Sequence, residues 1–504
     1  MTGLARHDLP SMTRPTFLDH ASTTPLDPAV TAAMLEVLQG PLGLGNPASA
    51  THPYGQDAAA AVERARAEVA ALIGAKTTEV VFTSGATEAD NLAILGIARG
   101  LADRGQHLVT VRTEHKAVLD PHRQLEKRGW RVTWVEPGRD GRVDPRVVAD
   151  ALRDDTQLVS VMHANNETGV VQDVAAIAAV CRARDVLLHC DAAQSAARLP
   201  VGVGTLGVDL LSLSAHKMYG PKGIGALWVS PRARPWLEPL MWGGGHERGL
   251  RPGTPATHQA VGFGVAAALV QRRREEDACH VERLASALRE QLADIPGLFW
   301  NDHPRHRLPG LLSLSIEGVE GESLLTALPE IAVSSGAACD SAVGEPSYVL
   351  RAQGVSPELA QSTLRIAFGR HNLETDAALA AAALRRAVTL LRTRDGPGPE
   401  SATGWYTGTA GSLREGARIR CFLRADAAGR VEGLEFRAAT CPAVWAILED
   451  LSRHARGRSV AAVTDGGPRD WASRARLPPE KLSRLFRVED AILAAVLAWG
   501  GGVP

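Results

Sequence analysis

The sequence predicts an α/β fold: a mainly parallel sheet clad in helices, a smaller α/β domain packed on it, and a C-terminal α+β domain. Three observations carry this. Between residues 56 and 230, short β-branched runs alternate with helical patterns, as in successive βαβ units. A second mixed region follows a long helical stretch after residue 255. A Gly/Pro/Ser break, DGPGPESATG at 395–404, then precedes about a hundred further residues, enough for a separate small domain.

The first region offers strands at EVVFTS (79–84), HLVTV (107–111), RVTWVE (131–136), QLVSVMH (157–163), VLLHCD (186–191) and DLLSLS (209–214). Continuous apolar runs of this kind suit a parallel sheet buried on both faces, and function is then expected at the strands' carboxyl ends. Beyond 255, LLSLSI, ESLLTAL, IAVSSG, STLRIAFG and an Ala-rich helix near 375–393 make the second domain. The expected division is 1–255 for the large domain, 256–394 for the small one, 395–404 for a linker and 405–504 for the last domain. In that domain ARIRCFLRAD and RVEGLEFRA read as two strands, followed by helices.

At 504 residues the chain exceeds what one core organises. A formal net charge of -1 supplies no basic field for nucleic acid, so small-molecule chemistry is favoured. The first residues, MTGLARHDLPSMTRP, hold no apolar run of signal-peptide length, and no later stretch reaches a charge-free membrane span; a cytoplasmic protein without membrane partners is expected. The six cysteines form no CxxC pair, which argues against a disulfide framework and a local zinc site.

In LSAHKMYGPKGIG (213–225) Lys217 follows a strand end among Ser, His and Gly, the setting a cofactor-holding lysine needs. Asp191 ends an apolar strand in HCDAAQS, where a carboxylate is costly unless a cation partners it. A protonated pyridine nitrogen is such a cation. SGATEADN (84–91) follows a strand and opens a helix, so its backbone N–H groups and the Thr87 hydroxyl can receive a phosphate. Taken singly, the lysine reads as a solvated charge and SGAT as a plain helix cap.

The run of motifs LDHASTTP, GNPASATHPYG, VVFTSGATEADNLAI, TEHKAVLD, MHANNETGVVQD, HCDAAQS, SAHKMYGPKGIGALWV, GGGHERGLRPGT, SSGAACDSA, EPSYVLRA and LRIAFGR resembles the cysteine desulfurases of the NifS/IscS branch of class V aminotransferase-fold enzymes, over residues 16 to 393. The resemblance implies a PLP-dependent transferase of fold type I, aspartate aminotransferase-like, using pyridoxal 5'-phosphate (PLP). In that family Lys217 matches the lysine that holds the cofactor and then moves the substrate's Cα proton. His115 matches the imidazole stacked on the ring, Asp191 the partner of the pyridine nitrogen and Gln194 the donor to the ring oxygen. Thr87, Ser214 and His216 match phosphate ligands. Thr254 matches a phosphate contact given by the partner subunit of a homodimer, and Asn166 and Arg365 the groups that hold the substrate carboxylate.

Cys339, in SSGAACDSAVGEPSYVLRA, matches the family's persulfide-forming cysteine on a loop that carries sulfur to acceptor proteins. The implied reaction converts L-cysteine to L-alanine and leaves sulfur on Cys339. A selenocysteine lyase, another PLP lyase and a non-enzymatic docking protein stand as alternatives. Ala337, Asp340 and Pro252 depart from the residues common in the family.

Residues 405–504 resemble more weakly the IscU/NifU N-terminal iron–sulfur scaffolds. Glu415 falls where the first ligand cysteine is usual, Ala417 where an aspartate is, and Ser483 and Arg484 where a histidine and the third cysteine are; only Cys441 matches. A cluster needs several thiolates, so no metal site is expected. Cys441, at a helix start before Pro442, is a candidate sulfur acceptor, with a buried structural role or a non-catalytic docking and regulatory module as the alternatives. Cys181, Cys190 and Cys421 read as core.

Overall fold

The computed structural model describes residues 14–335, 346–399, 402–413, 417–477 and 479–500. Cys339, its neighbours Ala337 and Asp340, and Glu415 lie outside the described residues.

The large domain is built on seven strands: β1 (Val80–Thr83), β2 (His107–Val111), β3 (Arg131–Val135), β4 (Thr156–Ser160), β5 (Leu187–Asp191), β6 (Leu210–Ser214) and β7 (Gly225–Val229). Their order across the sheet is β1-β7-β6-β5-β4-β2-β3. Strand β7 runs antiparallel to β1 and β6, while the pairs from β6 to β3 are parallel. Of these, β7 was absent from the strands expected from sequence, because ALWV follows a glycine-rich run that reads as loop.

Period-two alternation splits the strand residues between two cores. Leu108, Leu158, Leu187 and Leu210 face helix Ala86–Gly100 through Leu92 and Ile97. Val109, Val159, Leu188 and Leu211 face the other way, into a core that includes Val69 and Phe263. Apart from the edge strand β3, both faces are therefore dry, which is why these strands carry apolar residues at successive positions.

Helix Thr257–Gln291 joins the domains. Ala260, Phe263 and Val270 pack in the large-domain core, and Val281, Leu284 and Leu288 in the small-domain core. At a rise of 1.5 Å per residue it spans about 52 Å. The small domain carries β8 (Leu298–Trp300), β9 (Leu311–Ile316), β10 (Ser334–Ser335) and β11 (Thr363–Ala367), in the order β10-β11-β9-β8. Thr16–Phe17, assigned from sequence to the large domain, pairs in parallel with Ile331–Ala332, and Leu18 is buried in the small-domain core. Residues 16–18 thus belong to the small domain, and the following residues cross to the large one.

The last domain has three antiparallel strands rather than the expected two: β12 (Tyr406–Ser412), β13 (Ala417–Ala425) and β14 (Val431–Ala439). GTAGS lacks the β-branched density that marks a strand. Ile419, Cys421, Leu423, Phe436 and Ala438 form a core with Leu485, Val488 and Ile492 of helix Leu482–Trp499. The start of the expected linker is held against this sheet: Arg418 pairs with Asp395, and Arg420 Nη2 donates to the carbonyls of Asp395 and Gly396 at 2.7 and 2.6 Å. Lys481 lies 2.7 Å from Glu322 of the small domain, and Arg484 pairs with Glu322 and lies 3.6 Å from Glu320. Arg394 covers the Trp445 ring at 5.0 Å.

Candidate active site

A cavity of about 470 Å³ opens at the carboxyl ends of β4, β5 and β6. Thr87, His115, Asn166, Asp191, Gln194, Ser214, His216, Lys217 and Arg365, expected from residues 87 to 365, all line it. Thr254 does not: it is exposed on a separate loop. Cys441 is fully buried in the C-terminal core, at the N-cap of helix Pro442–Ala455.

Lys217 ends the short 3-10 turn Ala215–Lys217 that follows β6. Its Nζ donates to the carbonyl of Ser22 at 2.8 Å and to that of Ala21. The Ala21 carbonyl also accepts from Gln194 Nε2 at 2.8 Å, so one backbone oxygen ties together two residues of the site. His216 and Thr23 are joined at 3.1 Å.

Asp191 is the last residue of β5, buried, with Oδ1 accepting from the Ala193 N–H at 2.8 Å. Burial, and after it the charge of Asp90, pushes its carboxyl up to about 6. A cationic ring nitrogen would reverse that effect. His115 caps helix Lys116–Glu126 by accepting the Ala117 N–H at Nδ1, 3.1 Å away. In the neutral ring the proton then sits on Nε2. Burial pulls this imidazole below its ordinary pKa, with Asp191 opposing and Lys217 reinforcing the shift.

At the far side, helix Ala86–Gly100 presents its N-terminus to the cavity, behind Ser84 and Gly85. A Cβ on Gly225 would stand 2.6 Å from the backbone carbon of Gly85, whereas one on Gly85 would meet nothing within 4 Å. The close approach of β7 therefore requires Gly225, and the space in front of Gly85 stays open for a ligand. An unsatisfied helix start, with hydroxyls from Thr87 and Ser214, suits a phosphate.

Arg365 is buried, with Nη2 2.8 Å from Asp19 Oδ1 and Nη1 donating to the Asn166 carbonyl at 2.8 Å. Ser334 Oγ donates to the other Asp19 oxygen at 2.7 Å. Asp19 and Ala21 are site residues that sequence reasoning missed, although both lie within the quoted LDHASTTP. So is Asp90, inside SGATEADN, which lines the cavity. Among the described residues no three His, Cys, Asp or Glu side chains are grouped to hold a metal ion, and no helix is long and apolar enough to cross a membrane.

A lysine amine at a strand end, a buried carboxylate and an open helix N-terminus around one cavity fit PLP. Together with the strand order, they define a PLP-dependent transferase of fold type I. The family described as aminotransferase class-V matches residues 16–379. Proteins named cysteine desulfurase IscS from Pseudomonas syringae pv. tomato and Pseudomonas entomophila are 50% and 51% identical over 381 residues, covering 76% of this chain and 94% of each relative. A solved structure titled NifS-like protein superposes with a TM-score of 0.69 at 32% identity, covering 75% of this chain and all of the other. DndA from Streptomyces lividans gives 0.59 at 38% identity, covering 70% and 99%. The chain belongs to the class-V aminotransferase family, among its cysteine desulfurases of the NifS/IscS type.

Proposed function

We propose that this chain converts L-cysteine to L-alanine with PLP held by Lys217, and that Cys339 takes the sulfur. The observation that carries the reading is that Lys217, Asp191, His115 and Arg365 line one cavity. Thr87, Ser214 and His216 hold the phosphate and Gln194 the ring oxygen. The Arg365 fork and Asn166 bind the substrate carboxylate. When bound, PLP withdraws electrons from the substrate's Cα. The Lys217 amine takes the Cα proton, and His115 supplies or accepts a proton at Nε2. The Cys339 thiolate attacks the substrate Sγ: the S–S bond forms as the Cβ–S bond breaks, and the carbon skeleton, reprotonated, leaves as alanine. The persulfide then passes to acceptor proteins. Incubating PLP-loaded protein with L-cysteine should give alanine and persulfide at Cys339 in equal amounts, read by mass spectrometry; no alanine from cysteine would overturn the reading.

Thr254, exposed and away from its own cavity, serves the phosphate of a partner subunit in a cytoplasmic homodimer. Mixed dimers of Thr254→Ala and Lys217→Ala chains test this, because crossing the two defects leaves one site lacking both residues and the other intact.

For residues 405–504 we propose an IscU/NifU-like module that docks on its own desulfurase. The full burial of Cys441 favours docking and regulation over a sulfur relay. Persulfide mapping after turnover should find sulfur at Cys339 and none at Cys441.

A further inference from the structure

Asp90 lines the cavity on helix Ala86–Gly100 and is 1% exposed; the Ser212 hydroxyl is its nearby hydrogen-bonding group, and neither carboxyl oxygen is well aligned with a donor. Among the described residues no Lys or Arg forms an ion pair with it, and the charged-or-neutral imidazole His189 is its sole ion-pair neighbour, Nε2 standing 3.4 Å from Oδ1. His189 and Asp191 are two residues apart on β5 and so share a face. Glu114, also buried, accepts the Met162 N–H at 2.8 Å, and burial, with the charges of Asp191 and Asp90, holds its carboxyl well above the ordinary range; the Lys217 amine donates to the Ala21 and Ser22 carbonyls.

Two buried carboxylates without a cation between them cannot both ionise cheaply. Asp191 has a backbone donor and, in the reading above, a pyridinium partner. Asp90 has neither, and His189 is bonded to Ser212 at 3.0 Å and is itself held neutral by burial. We infer that Asp90 is a positioning residue that stays protonated near Asp191, keeping Asp191 the anion available to the pyridine nitrogen and adding a second negative charge there only as pH rises. Burial pushes the Asp90 carboxyl up to about 7, which puts that change near neutrality.

The inference rests on the cofactor reading, but one arm of its test does not. Asp90→Asn copies the shape of the neutral acid. In the apoprotein, the melting temperature of Asp90→Asn minus that of the unsubstituted chain should grow as pH rises from about 5 to about 8, because a raised carboxyl pKa costs stability as the acid ionises. In the holoprotein, Asp90→Asn should keep PLP within about threefold in affinity while Asp191→Asn loses more than about tenfold. The pH titration of the bound cofactor's visible band should lose a step in Asp90→Asn. A pH-independent melting difference, or PLP weakened by Asp90→Asn as much as by Asp191→Asn, would overturn the inference. Failure of the unsubstituted chain to bind PLP would sink the cofactor reading instead, leaving the melting arm to decide on Asp90.

Discussion

Asp19 and Arg365 pair at 2.8 Å across 346 residues of sequence, joining the start of the chain to strand β11. With Nη1 on the Asn166 carbonyl, the guanidinium is oriented before any substrate arrives. Arg365→Lys keeps the charge and loses the fork, so kcat/KM for L-cysteine should fall about a hundredfold, roughly 3 kcal/mol, mostly through KM. Asp19→Asn should cost less, about tenfold. Steady-state alanine formation checks both.

Cys339→Ser should leave the visible band of bound PLP unchanged while protein-bound persulfide disappears and alanine formation drops by about two orders of magnitude or more, since the hydroxyl is no substitute for a thiolate nucleophile. Absorption spectra and alkylation-based persulfide detection separate the two effects.

His122 and His189 are fully buried, and burial lowers each from 6.5 to about 4. The unfolded chain then binds more protons than the folded one between those values, so the stability is fully held above pH 6.5 and lost as pH falls toward 4, by about 3 kcal/mol per group. His122 Nδ1 bonds the Val118 carbonyl at 2.7 Å. His122→Gln can keep that bond and should show a smaller fall in melting temperature between about pH 7.5 and pH 5 than the unsubstituted chain.

Arg484 and Glu322 link the C-terminal domain to the small domain at side-chain exposures of 12% and 27%. Partial burial lifts this pair above a surface salt bridge, and a double-mutant cycle with Arg484→Ala and Glu322→Ala should return a coupling of about 1 to 2 kcal/mol. Hydrogen exchange across residues 482–499 should quicken in either single variant.

Gly225→Ala would drive a methyl group to 2.6 Å from the Gly85 backbone. Neither strand β7 nor the turn before helix Ala86–Gly100 can yield without moving the start of that helix, which lines the cavity. A loss of about 2 to 3 kcal/mol in stability, with weaker PLP retention, is expected from chemical denaturation and cofactor titration.

The parallel core was legible because strands buried on both faces carry apolar residues at successive positions, and the cavity residues were legible because each sat in a short, recognisable stretch. Strands β7 and β12 were not: a glycine-rich lead-in hides β7, whose partner β1 lies far back along the chain, and β12 lacks the β-branched residues that mark a strand. Asp19 and Ala21 escaped for a related reason. Ala21 acts through its backbone carbonyl, which no side-chain motif announces, and the Asp19 pairing exists only once the small domain has closed over the start of the chain. Asp90 carried no signal beyond its place in a helix-opening motif, since its burial comes from β5 and β6.

The anchoring of Asp395 and Gly396 by Arg418 and Arg420 also sets how the module meets any rival. A short tether keeps its attached domain at an effective concentration on the order of millimolar around the small-domain surface. A separate protein present at micromolar level and seeking the Glu320–Glu322 face would start about a thousandfold behind before any difference in affinity counted. A separate protein that recognises this face must displace the tethered domain, whereas one that binds elsewhere meets no such competition.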